Sequence, residues 1–130
     1  MQIGIDLGAT KVEYVLLDNN NKEIERDRIE TPSNFKDTIK LITEIVINLE
    51  KKHKSNFVIG LCHPGNLDSS TGLIKNAHNS QWLNNKSLIV ELKKNFKNDI
   101  FSENDANCFS LSEAIDGAAR HYNSVFGIIL

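Results

Sequence analysis

The sequence predicts an α/β domain built on a mixed sheet of five to six strands, with an antiparallel meander followed by βα units. Two observations favour this fold class. Three strand-like runs open the chain with only tight turns between them, which is typical of antiparallel pairing. Further strand-like runs then alternate with segments of helical apolar spacing, which is typical of parallel strands joined by right-handed helical crossovers.

The meander occupies the beginning of the chain. Gln2–Leu7 and Val12–Asp18 are apolar and β-branched, and the small residues of Gly8–Lys11 predict a tight turn between them. Asn19–Lys22 consists of residues that favour turns, and Glu23–Glu30 alternates as a third strand.

A helix is predicted next, with Ser33 or Asn34 as its N-cap and the basic run Lys51–Lys54 at its end. Cations stabilise the C-terminal end of a helix because of the helix dipole. Apolar side chains recur at steps of four and three residues and therefore line one face. They are Phe35, Ile39, Ile42, Val46 and Leu49.

The rest of the chain shows no repeat, linker or domain boundary, so residues 1–130 are predicted to form one domain. Strands are predicted for Asn56–Leu61 and Gly72–Lys75, and loops for Cys62–Ser70 and Asn76–Asn85. A helix over Lys86–Lys97 and a strand over Ile100–Ser102 follow. A third helix, with Cys108, Leu111, Ile115, Ala118 and Tyr122 on one face, precedes a final strand, Ser124–Leu130.

The composition narrows the possible classes of protein. With 40% hydrophobic and 25% charged residues, the chain is not collagen-like, low-complexity or strongly disordered. A formal net charge of -2 gives no basic excess for nucleic acid. Cys62 and Cys108 lack the spacing of a metal site and favour reduced thiols. No signal peptide or membrane span is indicated, so we expect a cytoplasmic protein.

The turn after the first strand is the first candidate site. Gly8 is small enough for backbone N–H groups to approach an anion, while Thr10 adds a hydroxyl and Lys11 a cation. Asp6 is a candidate ligand for Mg²⁺, directly or through water. An ordinary hairpin turn explains the same residues, and the pattern is neither GxGxxG nor a Walker A motif.

Asn104-Asp105 is the second candidate, at a predicted strand end and helix start. Both residue types are common helix caps, so a purely structural role stays open. In the functional interpretation Asp105 is a general base, because a sugar hydroxyl has a very high pKa and needs a carboxylate within hydrogen-bond reach. Asn104 would orient the same sugar.

Two polar loops complete the candidate site. His63–Asn66 follows a strand and is either a simple turn or part of a binding site, with His63 interpreted as structural. Lys75–Ser80, with Trp82 nearby, offers amides for sugar hydroxyls but also fits a surface loop with His78 exposed. Ligands of open α/β sheets bind beyond the carboxyl ends of the strands. We therefore expect all four segments, and both candidate carboxylates, at one edge.

The same segments resemble the motifs of the ROK family of sugar kinases and repressors, which has the ribonuclease H-like fold of actin/hexokinase-like ATPases. The similar blocks occur in order over essentially the whole chain. Asp6–Lys11 resembles the DxGxTK phosphate signature, and Pro64-Gly65 resembles the PG sugar loop. Lys75–Leu83 resembles the KNA…WLN stretch of bacterial fructokinases, and Asp116–Ala119 is also similar to fructokinase-like members. Asn104–Ala114 resembles the NDANC…SEA block.

This resemblance implies ATP-dependent phosphorylation of a hexose, with fructose favoured over mannose, glucose and N-acetylglucosamine, and with Asp105 as the catalytic base. The implied sugar contacts are Gly65, Asn66, Asn79 and Asn104. The implied ATP and Mg²⁺ side consists of Asp6, Gly8, Thr10 and Lys11, with Asp6 as the metal ligand.

The sequence departs from the family pattern at several points. Ala9 stands where a second glycine is usual, Cys62-His63 replaces a small apolar pair, and the stretch Ala77–Asn79 is one residue longer. In the family the final strand leads into a larger domain with a second phosphate loop and a zinc site. We therefore expect residues 1–130 to be an N-terminal small domain, inactive alone, of a homodimeric enzyme.

Three rival interpretations stay open. A ROK-type transcriptional regulator carries a helix-turn-helix before the first strand, whereas this chain begins directly at Gln2–Gly4. A nuclease using two metal ions needs three or four clustered carboxylates, and only Asp6 and Asp105, with Glu13 as a poor third, stand at suitable positions. A non-catalytic, stand-alone sugar-binding domain would associate through an exposed apolar edge.

Overall fold

The computed structural model of the chain describes residues 1–129. No helix among these residues is both long and apolar enough to cross a bilayer. In chain order the elements are β1 (Gln2–Leu7), β2 (Lys11–Leu17), β3 (Glu23–Glu30), α1 (Phe35–His53), β4 (Val58–His63), β5 (Asn66–Leu67), β6 (Ile74–Lys75), a 3₁₀ turn (Gln81–Leu83), α2 (Leu88–Lys93), β7 (Ile100–Asn104) and α3 (Asp105–Ile115).

The main sheet has five strands in the order β3-β2-β1-β4-β7, and β5 and β6 form a separate antiparallel ribbon. Strands β1, β2 and β3 pair antiparallel, as the tight turns predict. Strand β4 runs parallel to β1, and β7 runs parallel to β4. The carboxyl ends of β1, β4 and β7 consequently lie side by side at one edge, which confirms the predicted mixed sheet.

The hydrophobic core fills the space between one face of the sheet and helices α1 and α2. Alternate residues of the strands point into it, because successive side chains of a strand face opposite sides. Helix α1 begins where predicted, and its N-cap Asn34 accepts a hydrogen bond from the N–H of Asp37 at 2.9 Å. Each fully buried Ile or Leu contributes about 1.5–3 kcal/mol. They include Ile3, Ile5, Leu7, Leu16, Ile42, Ile59, Leu61, Leu88 and Leu92.

The opposite face of the sheet is more open. Gly4 and Asp6 of β1 and Gly60 and Cys62 of β4 belong to this face, and α3 lies beside it. No side chain of α3 is buried. A cavity of about 500 Å³ therefore remains between α3 and the sheet.

The predicted final strand, Ser124–Leu130, is wrong for residues 124–129, which form no strand, while Leu130 lies outside the described residues. An apolar run becomes a strand only when a neighbouring strand takes its backbone hydrogen bonds. The outer side of β7 receives no such partner from residues 1–129.

The helix that was predicted to reach Tyr122 ends at Ile115. The chain turns there because the N–H of Gly117 donates to the Ser112 carbonyl at 3.2 Å. The N–H of Ala118 then donates to the Glu113 carboxylate at 2.8 Å. These bonds replace the next helical turn, so Ala118 and Tyr122 do not extend the apolar face.

Further boundaries differ from the prediction. The predicted loop Cys62–Ser70 contains β5, and β7 continues to Asn104 instead of ending at Ser102. Cys62 and His63 belong to β4 rather than to a loop, because β1 and β7 pair with β4 from both sides. Helix α2 covers only Leu88–Lys93 of the predicted Lys86–Lys97. Leu88, Leu92 and Phe96 of that segment are nevertheless buried, and Phe96 packs into the core beyond the helix end.

Candidate functional site

The carboxyl edge of the parallel strands positions the candidate residues. In the register of the sheet, Asp6 of β1 lies opposite Cys62 of β4. On the other side of β4, Cys62 lies opposite Glu103 of β7, and His63 lies opposite Asn104. Two strand spacings separate β1 from β7, so the Cα atoms of Asp6 and Glu103 are about 10 Å apart. The edge therefore brings the turn after β1 and the start of α3 to the two sides of β4.

The turn between β1 and β2 is closed by a backbone hydrogen bond from Gly8. The N–H of Gly8 donates to the Lys11 carbonyl at 3.0 Å, and a Cβ at Gly8 would lie 2.8 Å from the same oxygen. Glycine is therefore required at this position. The N–H groups of Ala9 and Thr10 donate to no atom of residues 1–129. The φ of Ala9 is not positive, so alanine fits at this position without backbone strain.

Thr31 fixes this turn from the end of β3. Its side chain is buried, its hydroxyl donates to the Gly8 carbonyl at 2.9 Å, and its N–H donates to the Thr10 carbonyl at 2.9 Å. Because its partners lie more than twenty positions away, no local pattern indicates the contact.

The Asp6 carboxylate lies in an electrostatically unfavourable place for an anion. The neighbouring chain desolvates it, and this effect contributes most to raising its pKa above the ordinary 3.8. The charges of Asp105 and Glu13 raise the pKa further, while Arg28 opposes them. Asp6 and Asp105 are thus close enough to repel each other, as expected for two carboxylates at one edge.

Replacing Asp6 by Asn is expected to stabilise the ligand-free chain at pH 7. The pKa of Asp6 is raised in the folded state, so its ionised form opposes folding above the folded pKa. Below the ordinary value of 3.8 the carboxyl is neutral in both states, so the gain should disappear. Urea unfolding of both proteins at pH 7 and pH 3 measures this difference in midpoint.

Asp18→Asn is the matched control for that measurement. Backbone N–H groups of Lys22 and Asn20 lower the pKa of Asp18, so its ionised form favours folding. The control should therefore shift the pH 7 midpoint downward, with the effect shrinking in acid. Equal shifts of the two variants in the same direction would contradict the electrostatic interpretation.

Gly65 is held in a conformation that no other residue type adopts easily. Its φ is +78°, and a Cβ would lie 2.4 Å from the Lys75 carbonyl oxygen and 2.9 Å from the Ala77 nitrogen. The loop after β4 is therefore packed directly against the strand-to-loop segment that follows β6. This contact brings the PG segment and the polar stretch 75–80 together.

Asn104 links that loop to helix α3. Its side-chain amide donates to the Gly65 carbonyl at 2.8 Å, and its side-chain oxygen accepts from the N–H of Ala106 at 2.9 Å as the helix cap. Asp105 follows as the exposed first residue of α3. The capping role anticipated from the sequence is thus present, and it positions Asp105 relative to the Gly65 loop.

The other predicted site residues differ in their surroundings. Asn66 and Asn79 are exposed, as are Thr10 and Lys11. His63 is fully buried; its ring Nδ1 lies 3.1 Å from the Pro64 carbonyl oxygen, and its ring Nε2 has no hydrogen-bond partner among residues 1–129. His78 is exposed as predicted.

Glu103 was missed by the sequence analysis. The N–H of Asn104 and the side chain of Asn107 donate to its carboxylate at 2.7 and 3.1 Å, and these bonds lower its pKa. It supports the segment that carries Asp105. An acid before an Asn-Asp cap carries no signal that would distinguish it from a surface residue.

The residues present fit a magnesium nucleotide at the turn after β1. Mg²⁺ is typically held by one or two carboxylates together with waters and phosphate oxygens. The Asp6 carboxylate is therefore a suitable metal ligand, and the free backbone N–H groups beside it are suitable donors to phosphate oxygens. No cluster of three or more metal-ligating side chains occurs within residues 1–129.

Known proteins share both the sequence pattern and the fold. A sequence model described as the ROK family matches residues 2–130. An N-acetyl-D-glucosamine kinase of Mannheimia succiniciproducens is 34% identical over 134 residues, covering 100% of this chain and 43% of that protein. The chain thus spans less than half the length of this relative.

Two solved structures extend the comparison. A ROK hexokinase from Thermus thermophilus superposes with a TM-score of 0.78 at 27% identity, covering 92% of this chain and 40% of that one. A ROK family transcriptional regulator, a homologue of the E. coli MLC protein, has a TM-score of 0.78 at 16% identity, covering 94% of this chain and 32% of that one. At that identity the likeness concerns the fold alone.

Proposed function

The chain belongs to the ROK family, and from this premise we propose that the protein carrying it transfers a phosphoryl group from ATP to a hydroxyl of a hexose. The observation that supports this most strongly is the bond from Asn104 to the Gly65 carbonyl. It joins the candidate sugar loop to the helix that begins with Asp105.

Asp105 has the chemistry of a general base in this proposal. A sugar hydroxyl becomes an effective nucleophile when a carboxylate within hydrogen-bond reach accepts its proton as it attacks phosphorus. Gly65, Asn66, Asn79 and Asn104 would hold the sugar with this hydroxyl towards Asp105. Most of the catalysis would then come from positioning and from charge stabilisation in a loose transition state.

The turn after β1 would hold the phosphates. Free backbone N–H groups at Ala9 and Thr10 are donors for phosphate oxygens, and Lys11 adds a positive charge. Asp6 would hold Mg²⁺, which supplies neutralisation of the negative charge on the phosphates. Gly8 belongs to this side because only glycine permits the turn.

For the sugar, we propose N-acetylglucosamine ahead of fructose. The resemblance of the 75–83 segment to fructokinases favoured fructose, whereas the relative at 34% identity is named as an N-acetyl-D-glucosamine kinase. The exposed amides of Asn66 and Asn79 suit both hydroxyls and an acetamido carbonyl.

A transcriptional regulator stays the second candidate, because a regulator shares this fold at a TM-score of 0.78 and the fold alone does not separate the two functions. Salt-dependent binding to duplex DNA by the longer protein would favour it. The formal net charge of -2 on this chain argues against DNA contact through this domain.

The proposal concerns a protein longer than this chain, because the chain covers 43% of the kinase relative. We propose that the 130-residue chain alone shows no turnover, that the remaining length supplies the rest of the nucleotide and sugar sites, and that the longer protein is a cytoplasmic homodimer. A family zinc site would also lie in that remaining part.

The longer protein is tested by measuring ADP release with ATP, Mg²⁺ and a panel of N-acetylglucosamine, mannose, glucose and fructose. We expect kcat/KM to be highest for N-acetylglucosamine. A preference for fructose would overturn the ranking of sugars. Absence of turnover with every sugar, together with DNA binding, would overturn the kinase proposal.

A further inference from the structure

The two cysteines lie together on the open face of the sheet, close to the candidate site but outside its proposed chemistry. Cys62 is on β4, directly opposite Glu103 of β7 in the sheet register. The Cys108 Sγ lies 3.8 Å from the carbonyl oxygen of that same Glu103. Both cysteines therefore border Glu103, and both line the same cavity.

Both thiols are free and accessible to a small oxidant. Neither cysteine is fully buried, and both line the cavity of about 500 Å³ between α3 and the sheet. Leu111 and Phe101 also line this cavity, so its surroundings are largely apolar. Peroxides and small uncharged diazenes can enter a space of this size.

We propose that Cys62 and Cys108 form an oxidisable dithiol, whose disulfide covalently ties helix α3 to strand β4 next to Asp105. The inference does not rest on the kinase proposal, because it concerns the chemistry of the two thiols alone. Cys108 lies one helical turn after Asp105, so the disulfide would fix the end of the helix that carries the proposed base.

The chemistry balances with hydrogen peroxide as the two-electron oxidant. The thiolate of one cysteine attacks one peroxide oxygen, the O–O bond breaks, and the departing hydroxide takes up the proton released by the thiol to give water. The sulfur of the other cysteine then attacks the resulting sulfenic sulfur. The S–S bond forms, the S–O bond breaks, and a second water leaves with the proton of the second thiol.

The proposal is tested by treating the 130-residue chain with hydrogen peroxide and following thiol number and intact mass. We expect the loss of both thiols and of two hydrogen atoms, at a rate independent of protein concentration and reversed by dithiothreitol. Peptide mapping without reductant should identify a Cys62–Cys108 link. The urea midpoint of the oxidised chain should rise, because the cross-link constrains the unfolded state.

Single variants test whether each cysteine needs the other. Cys62→Ser should stop at a sulfenic acid on Cys108 and Cys108→Ser at a sulfenic acid on Cys62, and dimedone captures either product. Cys62→Ala serves as a second variant if the serine destabilises β4. Formation of intermolecular dimers alone, or of sulfinic acids without loss of two hydrogens in the wild type, would overturn the proposal.

Discussion

Replacing Asp105 by Asn in the full-length protein is expected to lower kcat for sugar phosphorylation by about 10²–10⁴-fold. The amide keeps a side-chain oxygen for the Ala106 N–H, which now donates to Asp105 at 2.8 Å, so the start of α3 should survive. It cannot accept the proton of the sugar hydroxyl. Steady-state kinetics with saturating ATP measure the loss, and KM for the sugar should change far less than kcat.

Asp116→Asn is the control for this prediction. Asp116 is an exposed acid at the other end of α3, and the same change of charge there removes no proton acceptor from the site. Its kcat should equal that of the wild type. If Asp105→Asn also retained the wild-type kcat, Asp105 would only stabilise the first turn of α3, and the proposed base would have to be another group.

Replacing Gly65 by Ala should disrupt the loop between β4 and β5 and abolish measurable sugar binding. The new Cβ would lie 2.4 Å from the Lys75 carbonyl oxygen, far inside normal contact, in addition to the strain of a φ of +78°. The contacted atom is backbone, so it cannot rotate away. Urea unfolding measures the loss of stability, and the sugar KM measures the effect on the site.

Gly72→Ala is the control that separates the backbone strain of a positive φ from the steric clash of the new Cβ. Gly72 also has a positive φ, +70°, but a Cβ there would meet nothing within 4 Å. Its cost should be limited to the left-handed penalty of about 1–2 kcal/mol, with an unchanged sugar KM. Equal losses for the two variants would mean that the packing of Gly65 against residues 75–77 is unimportant.

The sequence predicted most accurately the elements that are long and periodic. Helix α1 begins and ends within a residue of the expected positions because a cap, a regular apolar face and a basic end all agree. The meander was equally predictable, since its turns are short and rich in turn-forming residues. Local signals suffice for both.

The end of the chain was predicted less well, for a physical reason. Residues 124–129 have strand-like composition, yet whether they pair depends on a neighbouring strand, which a local pattern cannot reveal. Likewise the end of α3 depends on side-chain and backbone bonds from Glu113 and Ser112, which compete with another helical turn.

The candidate site was predictable in its location but not in its internal bonds. Strand ends of a parallel sheet meet at one edge, so the convergence of Asp6 and Asp105 followed from topology. The Thr31 contacts to the turn after β1 and the Asn104 bond to Gly65 join residues far apart in the chain. Only the folded structure supplies such pairs.

The central claim is that the edge carrying Asp105 belongs to a phosphoryl-transfer site, and the phosphorus NMR spectrum of the reaction tests it most directly. The full-length protein is mixed with N-acetylglucosamine, ATP and Mg²⁺, beside its Asp105→Asn variant. The proposal predicts a new phosphomonoester signal that appears with the wild type as ATP is consumed and is nearly absent with the variant. Unchanged ATP, or ATP hydrolysed to inorganic phosphate without a sugar phosphate, would contradict it.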